Sequence, residues 1–253
     1  MGQKKKRLLK FLSEHPFCCF CGGEANANTQ DHLPPRSVFD NKKWPESYVF
    51  PACQRCNVGS SQSDSIFALV SRIYPTTEES PDVKNETEKL IRAYVELHPQ
   101  TAKNLNLTTN QKRNWVKKTG FRLEQGESYG ELPIIKMPAE WNRSIEIVSA
   151  KLIKALHYKH TGKIIPKNAG LKIKWWTNAQ YMAGQFPKEL IELVGEKVFL
   201  KNQKVDLSSQ FSYSYQTSSD GNLAIYGAYF RFSFYVAGLV SFDSSLLNDK
   251  VEV

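Results

Sequence analysis

Two Cys-x-x-Cys pairs, Cys18/Cys21 and Cys53/Cys56, are the residues of this chain best suited by type and spacing to do chemistry. Each short knuckle turns two sulfurs toward one point, and a tetrahedral zinc ion accepts four thiolates at about 2.3 Å. The long stretch between the pairs implies an inserted excursion. Cys19 competes with Cys18, but only Phe20 separates it from Cys21, a tighter bite than a knuckle normally makes. The ligands read from spacing are therefore Cys18, Cys21, Cys53 and Cys56, with Cys19 spare. Gly22-Gly23 can supply the positive φ angles a knuckle turn needs. A small metal module takes much of its folding free energy from its ion, so the zinc is expected to be structural. All five cysteines fall in the first quarter of the chain, which suits a metal site in a reducing compartment rather than a disulfide framework.

Between the knuckles runs Thr29-Gln30-Asp31-His32-Leu33-Pro34-Pro35-Arg36-Ser37, and Cys56 is followed by Asn57-Val58-Gly59-Ser60-Ser61-Gln62-Ser63-Asp64. An Asp-His dipeptide alone is common by chance, and the flanking knuckles give it weight. Taken together, from about Pro16 to Ala68, these residues resemble the HNH endonuclease family in its zinc-stabilised branch. The resemblance implies a ββα-metal fold, in which a hairpin carrying Asp31 and His32 packs on a helix that follows Asn57. It implies hydrolysis of DNA phosphodiester bonds, in a restriction or phage-defence setting. His32 matches the general base that takes a proton from the attacking water, which an unperturbed pKa of about 6.5 makes feasible. Asp31 and Asn57 match ligands of a catalytic Mg²⁺ or Mn²⁺, hard oxygen donors for a hard cation. Asp64 is either a further ligand or a helix cap. The family's middle position has no clear counterpart, since Asn41 and Tyr48 to Phe50 lie in the excursion and do not align.

The same excursion carries residues that could meet a nucleic acid. Arg36 could clamp a phosphate bidentately or simply pair with a carboxylate. Lys42 and Lys43 are expected to face phosphate, while Trp44 and Phe50 are expected to pack over the metal core.

The elements that must hold these groups follow from periodicity. Phe67, Ala68, Val70 and Ile73 predict a helix over about Ser63 to Arg72. A polar, acidic run from Thr76 to Asn85 reads as a linker. Helices are predicted over Glu86 to His98, over the basic stretch Thr109 to Lys118, and over Pro138 to His160 with Gly162 as the stop. His157 and His160, three apart, could share a metal, although no third ligand is evident and packing explains them. After Pro166 the pattern turns to strands: Leu171 to Trp176, Phe211 to Tyr215, and two consecutive strands within Leu223 to Phe242, preceded by a turn at Ser218 to Asn222. The fold class is α+β, with an N-terminal zinc-bound ββα module (1–75), a linker and helical region (76–165), and a β-rich, antiparallel C-terminal region (166–253). Tyr226, Tyr229, Phe230, Phe232, Phe234 and Tyr235 either fill a sheet core or stack against a DNA base.

The chain has 253 residues, 41% of them hydrophobic, which is enough to bury a core. Its formal charge of +9, with the opening run Lys4 to Lys10, favours a polyanionic partner, and DNA is the expected one. No apolar run reaches the roughly 18 residues of a membrane span, and the charged amino terminus lacks a secretory apolar segment. No membrane partner and a cytoplasmic location are expected. Cutting both strands would call for a homodimer. The competing reading is a zinc-stapled nucleic-acid-binding module whose Asp31, His32 and Asn57 have no catalytic use.

Overall fold

The computed structural model describes residues 2–72, 81–103, 105–123, 126–132, 134–231 and 234–247, with backbone alone at 81–84 and 182. An exposed basic helix, α1 (Gln3–Glu14), leads into the first knuckle. The excursion is a hairpin of β1 (Thr29–His32) and β2 (Val49–Ala52), antiparallel with Asp31 opposite Phe50 and His32 opposite Val49. After it come α2 (Gln54–Val58) and α3 (Ser61–Arg72). The buried face of α3 carries Phe67, Ala68 and Val70, as the periodicity predicts, together with Ile66, while Ile73 lies outside the described residues.

The next helix, α4 (Pro81–Leu97), begins five residues before the predicted start. The expected linker is thus helical from Pro81 on, because proline at a first helical position loses no hydrogen bond and its fixed φ suits the turn. Residues 76–80 lie outside the described residues. A short α5 (Pro99–Lys103) precedes α6 (Thr109–Thr119), which opens on a reciprocal capping box between Thr108 and Gln111. The longest helix, α7 (Ala139–Thr161), stops at Gly162, whose φ of 68° and N–H bonded to the Tyr158 carbonyl make a left-handed cap.

Strand β3 (Gly170–Thr177) leads through α8 (Asn178–Met182) and α9 (Glu189–Leu193) to three two-residue strands, β4 (Lys197–Val198), β5 (Lys201–Asn202) and β6 (Val205–Asp206). Three longer strands follow, β7 (Ser212–Thr217), β8 (Leu223–Phe230) and β9 (Phe234–Ser241). The main sheet has the order β3-β9-β8-β7-β4, and every pairing in it is antiparallel. Both faces of β9 are covered, so its sequence reads as a continuous apolar run instead of an alternation. Helix α7 lies on one face, and Phe186, with Trp176, packs on Tyr235 and Ala237 on the other.

The three-part division of the chain does not divide the core. One apolar cluster runs from Cys18 and Phe50 through Phe67 on α3 and Leu152 on α7 to Phe230 and Phe234 in the sheet. The Phe67 ring meets those of Phe230 and Phe234 edge-on, at 5.1 and 5.5 Å between centroids. Arg72, 2% exposed, rivets the same region: it reaches Asp40 at 3.0 Å, Glu86 at 3.2 Å and the Ser37 carbonyl at 3.0 Å. Arg231, in the β8–β9 connection, also binds Asp40, at 2.5 Å.

The C-terminal aromatics are core. Tyr226, Phe230, Phe234 and Tyr235 are buried, Tyr229 is half-buried, and Phe232 lies outside the described residues. Stacking against a DNA base would need exposed rings, so the alternative in which this set reads a base is replaced by sheet packing. Gly238 marks a close approach of α7 to the sheet, since a Cβ there would sit 2.4 Å from Ile153 Cγ1 and 2.8 Å from Cγ2. Gly238→Ala is expected to destabilise the protein by about 1–3 kcal/mol through overpacking. Urea unfolding would check this, with partial recovery expected when Ile153→Ala is added, which removes the γ-carbons that crowd the new methyl.

Candidate metal centre and hairpin site

The four expected cysteines come together. The sulfurs of Cys18, Cys21, Cys53 and Cys56 all lie within 4.8 Å of one another, close enough to hold a metal ion. Local backbone makes the knuckles: Gly23 donates to the Cys18 carbonyl at 3.2 Å, the Phe20 N–H points at Cys18 Sγ at 3.4 Å, and Gly22 and Gly23 take φ of 76° and 79°. Cys53 opens α2, and its carbonyl accepts the Asn57 N–H at 3.0 Å. Cys19 stays outside the cluster, and burial pushes its thiol well above the ordinary range, so it remains protonated. Four sulfurs in this arrangement fit zinc, and a closed set of four leaves no open position for substrate, so such an ion is structural.

The hairpin then presents His32. Its ring is half-buried, and its Nε2 accepts a hydrogen bond from Arg36 at 2.6 Å. The guanidinium can only donate, so Nε2 is the bare nitrogen and the imidazole is neutral with its proton on Nδ1. Burial, and then the Arg36 charge, push the His32 pKa down to about 4, against an opposing pull from Asp31. Trp44 completes the group: it meets the His32 ring edge-on at 4.9 Å, and the Arg36 guanidinium lies 3.8 Å from its ring centroid. Trp44 is therefore more than core filling, while Phe50 packs inside as expected. Arg36, Lys42 and Lys43 are exposed on the same excursion.

Asp31 is oriented differently from its neighbour. Side chains alternate along a strand, and here Asp31 is 7% exposed while His32 remains accessible. Its Oδ1 accepts the His32 N–H at 2.8 Å, and its Oδ2 accepts from the Lys151 ammonium at 2.5 Å. Lys151, on α7, also donates to Ser60 Oγ at 2.6 Å and to the Cys56 carbonyl at 3.1 Å. Asn57 Nδ2 donates to Thr29 Oγ1 at 3.0 Å and to the Gln30 carbonyl at 3.1 Å, which ties α2 to β1 and leaves Oδ1 as its only donor to a cation. Asp64 receives a long contact from Ser60 Oγ at 3.5 Å, its Oδ1 is buried with no hydrogen-bond partner, and burial raises its pKa to about 6.

Sequence reasoning misses Lys151. A signal was present, because the lysine stands three residues after Val148 and four before Ala155 on the buried stripe of α7. A charge in an apolar stripe needs a buried partner.

His157 and His160 turn to different tyrosines, so the two do not share a metal. His157 Nδ1 is 3.1 Å from Tyr226 Oη, and His160 Nε2 is 2.8 Å from Tyr213 Oη, whose hydroxyl in turn meets Tyr48 Oη at 2.8 Å. Burial leads in depressing both histidines to about 4. Unfolded, each would titrate near 6.5, so below that pH the unfolded chain binds more protons and stability falls as pH drops toward 4. Asp64 opposes them between 3.8 and about 6, since its folded pKa is raised and its contribution weakens as pH rises. Two histidines, with His32 as a third, outweigh one carboxyl. The urea midpoint is expected to fall between pH 6.5 and 4.5, with His157 alone accounting for roughly 3 kcal/mol at full titration.

Compared with protein-family models, curated proteins and solved structures, the chain matches none. What it can do must therefore be argued from this site. Among the described residues, the four cysteines are the only group of three or more His, Cys, Asp or Glu close enough to hold a metal. No described helix is long and apolar enough to cross a membrane.

Proposed function

We propose that the chain is an HNH-type endonuclease that hydrolyses DNA phosphodiester bonds, with His32 as the base that activates water. The observation that carries this reading is the pairing of a neutral His32 with an exposed Arg36 on a hairpin braced by a four-cysteine centre. Phosphodiester hydrolysis needs a base for water and positive charge at the phosphate. Arg36, whose rigid fork suits phosphate oxygens, would leave Nε2 for an arriving phosphate, with Lys42 and Lys43 exposed on the same excursion. That exchange bares the Nε2 lone pair. It also neutralises the cation that helps depress His32, so the imidazole becomes a stronger base as substrate binds.

The residues expected to hold a catalytic Mg²⁺ or Mn²⁺ do not fit that ion as they stand. Asp31 has both oxygens engaged, one of them by an ammonium ion, and Asn57 offers a single oxygen. No step is therefore routed through a divalent ion. A restriction or phage-defence role rests on the family resemblance, and a homodimer rests on the symmetry that cutting both strands would call for.

A second reading, a DNA-binding module without catalysis, is favoured by the Arg36 contact that covers Nε2. Incubating the zinc-loaded full chain with supercoiled plasmid and with modified phage DNA separates the two. Nicking or linearisation supports the nuclease, whereas salt-sensitive DNA binding without any strand breakage sinks it in favour of the binding module.

A further inference from the structure

We propose that Lys151 is a positioning residue of this site: its ammonium holds Asp31 where a divalent cation would, and through Asp31 it fixes the backbone that carries His32. The inference rests on the endonuclease reading and extends it to a residue on α7, far along the chain from the hairpin. Lys151 is 8% exposed, yet it carries a charge, and such a group is tolerated only when paired and hydrogen-bonded. Three oxygens meet it: Asp31 Oδ2 at 2.5 Å, Ser60 Oγ at 2.6 Å and the Cys56 carbonyl at 3.1 Å. An ammonium has three N–H donors, so the set saturates it. The Phe20 ring lies 4.9 Å away on another side.

These partners are not scattered. Cys56 belongs to the metal centre, Ser60 stands between α2 and α3, and Asp31 stands on β1. One lysine thus joins the second knuckle, the start of α3 and the hairpin. Asp31 relays the constraint, since its other oxygen takes the N–H of His32 at 2.8 Å. The chemistry of the cage is that of a cation site, with a carboxylate, a hydroxyl and a carbonyl converging on one positive charge. The chain's own ammonium occupies it. In this arrangement Lys151 acts through Asp31, and the hairpin is correctly set only when α7 is docked.

The test compares parent, His32→Ala, Lys151→Met, Asp31→Asn and the Asp31→Asn/Lys151→Met pair in the full zinc-loaded chain. Plasmid cleavage, zinc content and hydrogen exchange at the His32 amide would be measured. Lys151→Met is expected to lower kcat at least tenfold with KM for DNA and zinc content unchanged, and to speed exchange at the His32 N–H. Lysine removal alone leaves a buried carboxylate, so if that variant does not fold, the double variant carries the comparison. It should be folded and cleave no worse than Asp31→Asn, because both changes break one linkage. Parent-like cleavage and exchange in Lys151→Met, or losses that multiply in the double variant, would overturn the proposal. So would Mn²⁺ binding to the parent that is lost in Asp31→Asn and tightened in Lys151→Met, which would make Asp31 a metal ligand that Lys151 merely guards. If His32→Ala loses cleavage and Lys151→Met keeps it, this inference fails while the nuclease reading stands. If the parent cuts no DNA, the nuclease reading fails, and exchange at the His32 amide still decides whether Lys151 holds the hairpin.

Discussion

His32→Ala is expected to reduce DNA cleavage by at least about a hundredfold, and by as much as ten-thousandfold, the range a positioned general base contributes. The fold should survive the change. The His32 ring is half-buried against Trp44 and makes its one hydrogen bond to an exposed arginine, so truncation removes little packing and strands no buried group. Circular dichroism and zinc content should match the parent, which separates a lost base from a lost structure. The pH profile adds a second check. The folded chain holds His32 near 4, so on the nuclease proposal kcat/KM should be level from about pH 6 to 8 and should decline only on acidification toward that value. Arg36→Ala provides the contrast. It removes one of the groups that depress His32, so the acid limb should move to higher pH, while the lost phosphate contact raises KM. An unchanged rate in His32→Ala would end the assignment.

Removing the metal should have the largest structural effect. Four buried or half-buried sulfurs lie within 4.8 Å of one another, and without an ion they would repel once ionised. Structural zinc in small modules is worth about 10–16 kcal/mol in apparent binding free energy, comparable to the whole stability of a domain. Chelation under mild denaturant, or Cys53→Ser, should therefore unfold the knuckles, the hairpin and α2 together. Because Cys18 and Phe50 belong to the common core, the loss should spread beyond the module. Thermal unfolding should show a large, zinc-dependent shift in the midpoint, and metal analysis should return about one zinc per chain for the parent. Cys19→Ser, in contrast, should leave the metal content unchanged, since Cys19 lies outside the cluster.

Local pattern carries much of this architecture. The knuckles are visible from spacing, α6 from its basic stretch, α7 from its apolar stripe and its glycine stop, and the last two strands from continuous apolar runs. These are signals a short window of sequence contains. What escapes such a window is pairing across the chain. Lys151 stands 120 residues from Asp31, and nothing local to either says they meet. Arg36 reads equally as a phosphate clamp or a carboxylate partner, and its actual contacts are His32 and the Trp44 ring. The aromatics of β8 and β9 are ambiguous for a similar reason: whether a ring is inside depends on what covers the sheet, and α7 and Phe186 cover both faces. Pro81 misleads because proline punctuates loops and also begins helices.

The shared core makes the cysteine-bearing head non-transferable. Residues 2–72 look like a cassette in sequence, but Phe67 is sealed by Phe230 and Phe234, Arg72 is neutralised in part by Glu86, and the charge of Asp31 is met from α7. Grafted onto another protein, that segment would bring an unsealed apolar face and an unmatched buried carboxylate. Retargeting this protein would have to proceed by altering its surface in place, with the whole chain kept as the unit of inheritance.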